Sequence, residues 1–129
     1  MRIGLAGEVV HQVTDLDTAR SLRSGDVDAL ATPRLIAWLE EATCRALDDV
    51  LPAEHTSVGM AVDVAHLRAS AVGVTVVCRA VVASVDGARV GFEVEAEQDG
   101  RVVARGRVTR AVVERAAFTA RLAPDVSAS

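Results

Sequence analysis

Between Ala31 and Leu51 apolar residues recur every three or four positions, and after Ser57 the interval drops to two. The first pattern predicts an amphipathic helix and the second a series of half-buried strands. At about 100° per residue, Leu35, Ile36, Leu39, Thr43, Ala46, Leu47 and Val50 share one stripe. Arg34, Trp38, Glu41, Arg45, Asp48 and Asp49 take the opposite arc. Thr32 suits the N-cap and Pro33 the first helical position, while Pro52 closes the element. Glu40 breaks this order. It lies beside Ile36, Leu47 and Leu51 on the flank of the apolar face, whereas Glu41 is placed towards solvent.

Strands are predicted at Glu8–Thr14, Ser57–Leu67, Gly73–Val85, Ala88–Gln98 and Arg101–Val113. In the second of these, Val58, Met60, Val62, Val64 and His66 are expected on one face. Asp86-Gly87 and Asp99-Gly100 mark hairpin turns. Asp15–Ala29 reads as polar and irregular, and the tail from Pro124 to Ser129 as disordered. A strand, a helix and four strands joined largely by tight turns define one α+β domain over residues 1–129, with an antiparallel sheet against the helix. Strands this long make an open edge a liability, and edge pairing in a twofold dimer is the simplest remedy.

Composition narrows the function. Half the residues are hydrophobic, nearly all of them Val, Ala and Leu, and the aromatics are Trp38, Phe92 and Phe118. The net charge of −4, with arginines scattered along the chain, argues against nucleic-acid binding. No apolar run has the length to span a bilayer, and no basic-then-apolar leader opens the chain. Cys44 and Cys78 are too few for a disulfide framework, which fits the cytoplasm. His11, His55 and His66 lack metal-ligand spacing, so no metal is expected. Glu93, Glu95 and Glu97 alternate with apolar residues as a solvated sheet face does.

Taken singly, the remaining polar residues have ordinary readings. Glu40 can snorkel to water or pair with an arginine from the sheet. Thr32 can be a plain N-cap, and His66 a hydrogen-bonded core histidine.

Three segments together change that weighting: ATPRLIAWLE, TSVGMAVDVAHL and VDGARVGFEVEAEQDGRVVARGRVTRAVV. They resemble the hot-dog-fold acyl-CoA thioesterases, in the group that includes fluoroacetyl-CoA thioesterase. The likeness runs from about Glu8 to Phe118 and rests on a Thr and a Glu eight residues apart at the helix start, with a V-D-V-x-H strand end. It implies a five-stranded antiparallel sheet wrapped around one long helix. It also implies a homodimer with active sites at the subunit interface, and pairing of dimers into tetramers as a further option. Thr32, Glu40 and His66 fall on the catalytic positions, and Gly59 (through its backbone) and Arg110 on positions near the bound thioester.

The implied activity is hydrolysis of a small acyl-CoA, with CoA entering as part of the substrate and no separate cofactor. Glu40 can activate water or attack the thioester directly. One departure stands out. The fluoroacetyl-specific enzyme carries phenylalanines in a lid before its catalytic helix, and the matching stretch here, RSGDVDAL, has no aromatic residue. Fluoroacetyl-CoA is therefore not expected to be the preferred substrate. A non-catalytic acyl-CoA- or ligand-binding hot-dog protein is the alternative, and a dehydratase the third reading.

Overall fold

The computed structural model describes residues 1–124, so the expected disordered tail lies outside the described residues except for Pro124. Strand β1 (Ala6–Gln12) leads through a 3₁₀ turn (Asp15–Asp17) and helix α1 (Ala19–Leu22) to the long helix α2 (Thr32–Leu47). Strands β2 (His55–His66), β3 (Thr75–Asp86), β4 (Arg89–Gln98) and β5 (Arg101–Glu114) follow, and helix α3 (Arg115–Arg121) comes last. The five strands form one antiparallel sheet in the order β1-β3-β4-β5-β2. No helix among the described residues is long and apolar enough to cross a membrane.

Strict alternation builds the core. Val76, Cys78, Ala80 and Val82 of β3 and Val90, Phe92, Val94 and Ala96 of β4 are buried, in a register that sets Cys78 opposite Ala96 and Val82 opposite Phe92. Helix α2 lays Leu35, Leu39, Ala42, Ala46 and Leu47 on that surface. Each fully buried Val or Leu contributes about 1.5–3 kcal/mol. Small residues let helix and sheet come close: a Cβ on Gly7 would collide with the Ala42 carbonyl and the Ala46 backbone. The other face of the sheet is charged, with Glu93, Glu95 and Glu97 paired to Arg107, Arg105 and Arg79. These exposed pairs add little stability.

The structure corrects several expectations. Helix α2 ends at Leu47 rather than Leu51, and Val50 is exposed in the turn that follows. Asp48 and Asp49 place negative charge at the negative end of the helix dipole, which disfavours another turn. Trp38 is buried instead of solvated, because its ring stacks on His11 of β1 at 4.6 Å between centroids. Glu41 is held by His11, Oε1 to Nε2 at 2.7 Å, and so does not have the solvent to itself. Asp15–Ala29 contains the 3₁₀ turn and α1, the first hairpin turns at Gly87-Ala88 with Asp86 paired to Arg89, and α3 was not expected.

The correction that matters most for function lies in β2. A bulge between Gly59 and Ala61 inserts Met60 into the ladder with β5. An extra residue reverses the side to which the preceding side chains point. Val62, Val64 and His66 share the helix-facing side with their partners Val108, Gly106 and Ala104, and so do Gly59 and Ser57 with Arg110 and Val112. Val58 moves to the other face, beside Ala111. The single face expected for Val58 through His66 is therefore split.

Candidate active site

Helix α2 starts at Thr32 with Ala31 as its N-cap, and no side chain caps it. The expected capping role of Thr32 is replaced by a contact to the sheet: Thr32 Oγ1 lies 2.7 Å from Nδ1 of His66, the last residue of β2. Either atom can donate, according to the imidazole tautomer. When the hydroxyl donates, the ring hydrogen sits on Nε2, a buried atom without a protein partner. Burial holds the His66 pKa below its usual 6.5, and the Arg68 backbone partly opposes that shift. The ring is thus neutral near pH 7, able to accept a proton.

Two turns further along α2, Glu40 reaches the same sheet. Its Oε2 accepts from Nη1 of Arg110 at 3.1 Å. Arg110 is only 7% exposed, and its guanidinium is fixed by two further bonds, from Nε to Ser57 Oγ at 2.9 Å and from Nη2 to the Ser57 carbonyl at 3.1 Å. A buried guanidinium is stable only when its donors are satisfied. The Glu40 side chain is 33% exposed, so the carboxylate is bound on one side and open on the other. Gly59 makes room for it, since a Cβ there would overlap Oε2.

The five expected residues therefore form two clusters. Thr32 and His66 are joined, and Glu40, Arg110 and Gly59 are joined. The clusters are not bonded to each other among the described residues, and the eight-residue interval from Thr32 to Glu40 spans about 12 Å along the helix. Chemically they supply a carboxylate, a cation behind it, and a hydroxyl–imidazole pair at a helix N-terminus, where developing negative charge is favoured. Ser57 was missed. A serine in a strand has no signature of its own, and its role exists only because β2 lies beside β5.

One long helix against a five-stranded antiparallel sheet in this order is the hot-dog fold. The family model described as "Fluoroacetyl-CoA-specific thioesterase" matches residues 13–116, and the chain belongs to that family. Among solved structures, fluoroacetyl-CoA thioesterase FlK is 28% identical with a TM-score of 0.88, over 95% of each chain. A threonine-to-serine variant of the same enzyme in complex with acetyl-CoA gives 27% identity and a TM-score of 0.89, over 95% of this chain and 96% of that one. A thioesterase superfamily member from Thermus thermophilus, 24% identical, shares the fold with a TM-score of 0.87, over 94% of this chain and 90% of that one. No curated protein sequence matches the chain.

Proposed function

We propose that this protein is a thioesterase that hydrolyses a small acyl-CoA to the free acid and CoA, acting as a cytoplasmic homodimer. The observation that carries the reading is the Glu40 carboxylate, half-buried and anchored by Arg110 against Gly59 at the helix–sheet border. A carboxylate held on one oxygen presents the other to a water or a carbonyl carbon. Glu40 takes the proton from a water whose oxygen attacks the thioester carbon, or attacks that carbon itself to give an anhydride that water then opens. Negative charge builds on the carbonyl oxygen, the carbon–sulfur bond breaks, and the thiolate leaves and is protonated. The Thr32 hydroxyl and the N-terminus of α2 suit the oxyanion, and neutral His66 suits the proton traffic. A bulge leaves a peptide group out of the ladder, which makes the backbone at Gly59 and Met60 available to the thioester. CoA arrives with the substrate, and the scheme needs no other cofactor.

The two clusters complete one site when two chains pair. Strand β2 lies at the end of the sheet, and its helix-facing Val62 is 40% exposed. An antiparallel twofold pairing of β2 edges, centred near Val62 and Asp63, sets His66 of one protomer opposite the Gly59–Met60 bulge of the other. Neighbouring strands lie about 4.8 Å apart. That pairing would bring Glu40 of one protomer towards Thr32 and His66 of the other.

Release of thiol from acyl-CoAs by the purified protein tests the reading. Glu40→Gln keeps the shape and removes the basicity, and kcat should fall by roughly 10² or more. Wild-type protein that binds acyl-CoA without releasing thiol would instead identify a binding protein.

A further inference from the structure

A cavity of about 360 Å³ opens beside Thr32 and His66. Its walls come from two segments, 19–30 and 67–69, and the side chains that shape it are Ala19, Val27, Leu30, Leu67 and Ala69. The first wall is built rather than loose. The Arg20 amide donates to the Val27 carbonyl at 3.1 Å, the Ala19 amide to Ala29 at 2.8 Å, and Arg20 Nε to Asp28 at 2.8 Å. The Leu30 amide then ties this wall to the second, donating to the Ser70 carbonyl at 2.9 Å. Leu30 is buried, yet Val27 and Leu67 remain 57% and 55% exposed. Aliphatic surface left open against a catalytic hydroxyl is surface for an apolar group to cover.

Resting on the thioesterase reading above, we infer that this cavity receives the acyl tail, and that the preferred substrate carries a saturated aliphatic acyl group several carbons longer than acetyl. An acetyl tail is one methyl group, near the size of a water at about 30 Å³, and leaves most of the 360 Å³ unfilled. Each further methylene that enters is worth about fourfold in kcat/KM, the equivalent of about 0.8 kcal/mol, until the space is full. Among the lining residues, polar side chains besides Thr32 and His66 are those of Ser24 and Arg68, and no carboxylate faces the cavity to select a charged or amino-bearing acyl group.

The test compares kcat/KM for acetyl-, butyryl-, hexanoyl- and octanoyl-CoA with wild-type protein, Val27→Phe and Ala69→Phe. Both substitutions put an aromatic ring into the cavity from exposed positions, one from each wall, so that one misfolded variant does not spoil the comparison. Wild-type protein should favour hexanoyl- over acetyl-CoA by at least tenfold, and either ring should cut that ratio by tenfold or more. If thiol is released but acetyl-CoA is cleaved as well as the longer thioesters, the acyl-tail assignment is overturned while the thioesterase reading stands. The assignment is equally overturned if neither ring moves the ratio. If no acyl-CoA is cleaved by wild-type protein, the thioesterase reading fails and takes this inference with it.

Discussion

Glu40 and Arg110 stand 70 residues apart in sequence and meet at 3.1 Å, Oε2 to Nη1. The contact joins the middle of α2 to β5, and Ser57 of β2 holds the guanidinium from the other side. One arginine thus fixes the relative positions of the helix, the inner strand and the edge strand.

Removing that arginine should be costly for the fold. Arg110→Met leaves Glu40 and the Ser57 carbonyl without their donors, and urea denaturation should show a loss of about 1–3 kcal/mol. Adding Glu40→Gln to Arg110→Met should recover part of it, because residues in one hydrogen-bond network are not additive. Strict additivity would mean that the ion pair contributes no coupling energy.

Gly59→Ala probes the seat of the carboxylate. The added methyl overlaps Glu40 Oε2, so the side chain must turn away. Misplacement of a reacting group by about 1 Å can cost 10²-fold. Thiol release should drop by tenfold or more with an unchanged circular dichroism spectrum. An alanine variant as active as wild type would argue that Glu40 works from another position.

The pH profile should report His66. Its pKa is lowered by burial below 6.5, so the neutral ring's stabilising contribution is complete above 6.5 and is lost as pH falls through the lower, folded value. The kcat/KM profile should be flat around neutrality, with an acid limb whose midpoint lies under 6.5. His66→Gln should abolish that limb along with most of the rate. A midpoint above 6.5 would contradict the buried, neutral ring.

Complementation separates a shared site from two incomplete ones. Glu40→Gln and His66→Ala homodimers should each be inactive. After subunit exchange, half of the particles are mixed dimers, each with one intact site, and about a quarter of wild-type activity should return. Light scattering should meanwhile show a dimer at micromolar concentration. A stable monomer, or a mixture that stays inactive, would remove the basis for a site shared across β2.

The two thiols should also differ. Burial and the nearby Glu41 charge push the Cys78 thiol up to about 12. Cys44 is half-buried on α2. Alkylation of the folded protein near pH 8 should modify Cys44 and spare Cys78 until denaturant is added, which mass spectrometry can follow.

The sequence by itself determined the long helix and the five strands, the antiparallel sheet against that helix, and the anomaly of Glu40, but not the short helices α1 and α3. What it determined follows from periodicity, and a period of 3.6 or 2 is a local property that the chain carries openly. The resemblance to the thioesterase family, carried by three segments of the sequence, is what singled out Thr32, Glu40, His66, Gly59 and Arg110 as a set. Tertiary structure decided how that set divides. Whether Thr32 caps its helix or bonds His66 depends on where the end of β2 lies, and only packing fixes that. The burial of Trp38 and the capture of Glu41 both wait on His11, which folding brings in from another element. The Met60 bulge reverses a face without any residue that announces it, because a bulge is a mismatch between two strands and not a property of one. The cavity beside Thr32 is likewise the space between two loops far apart in sequence, so no local pattern could record its size.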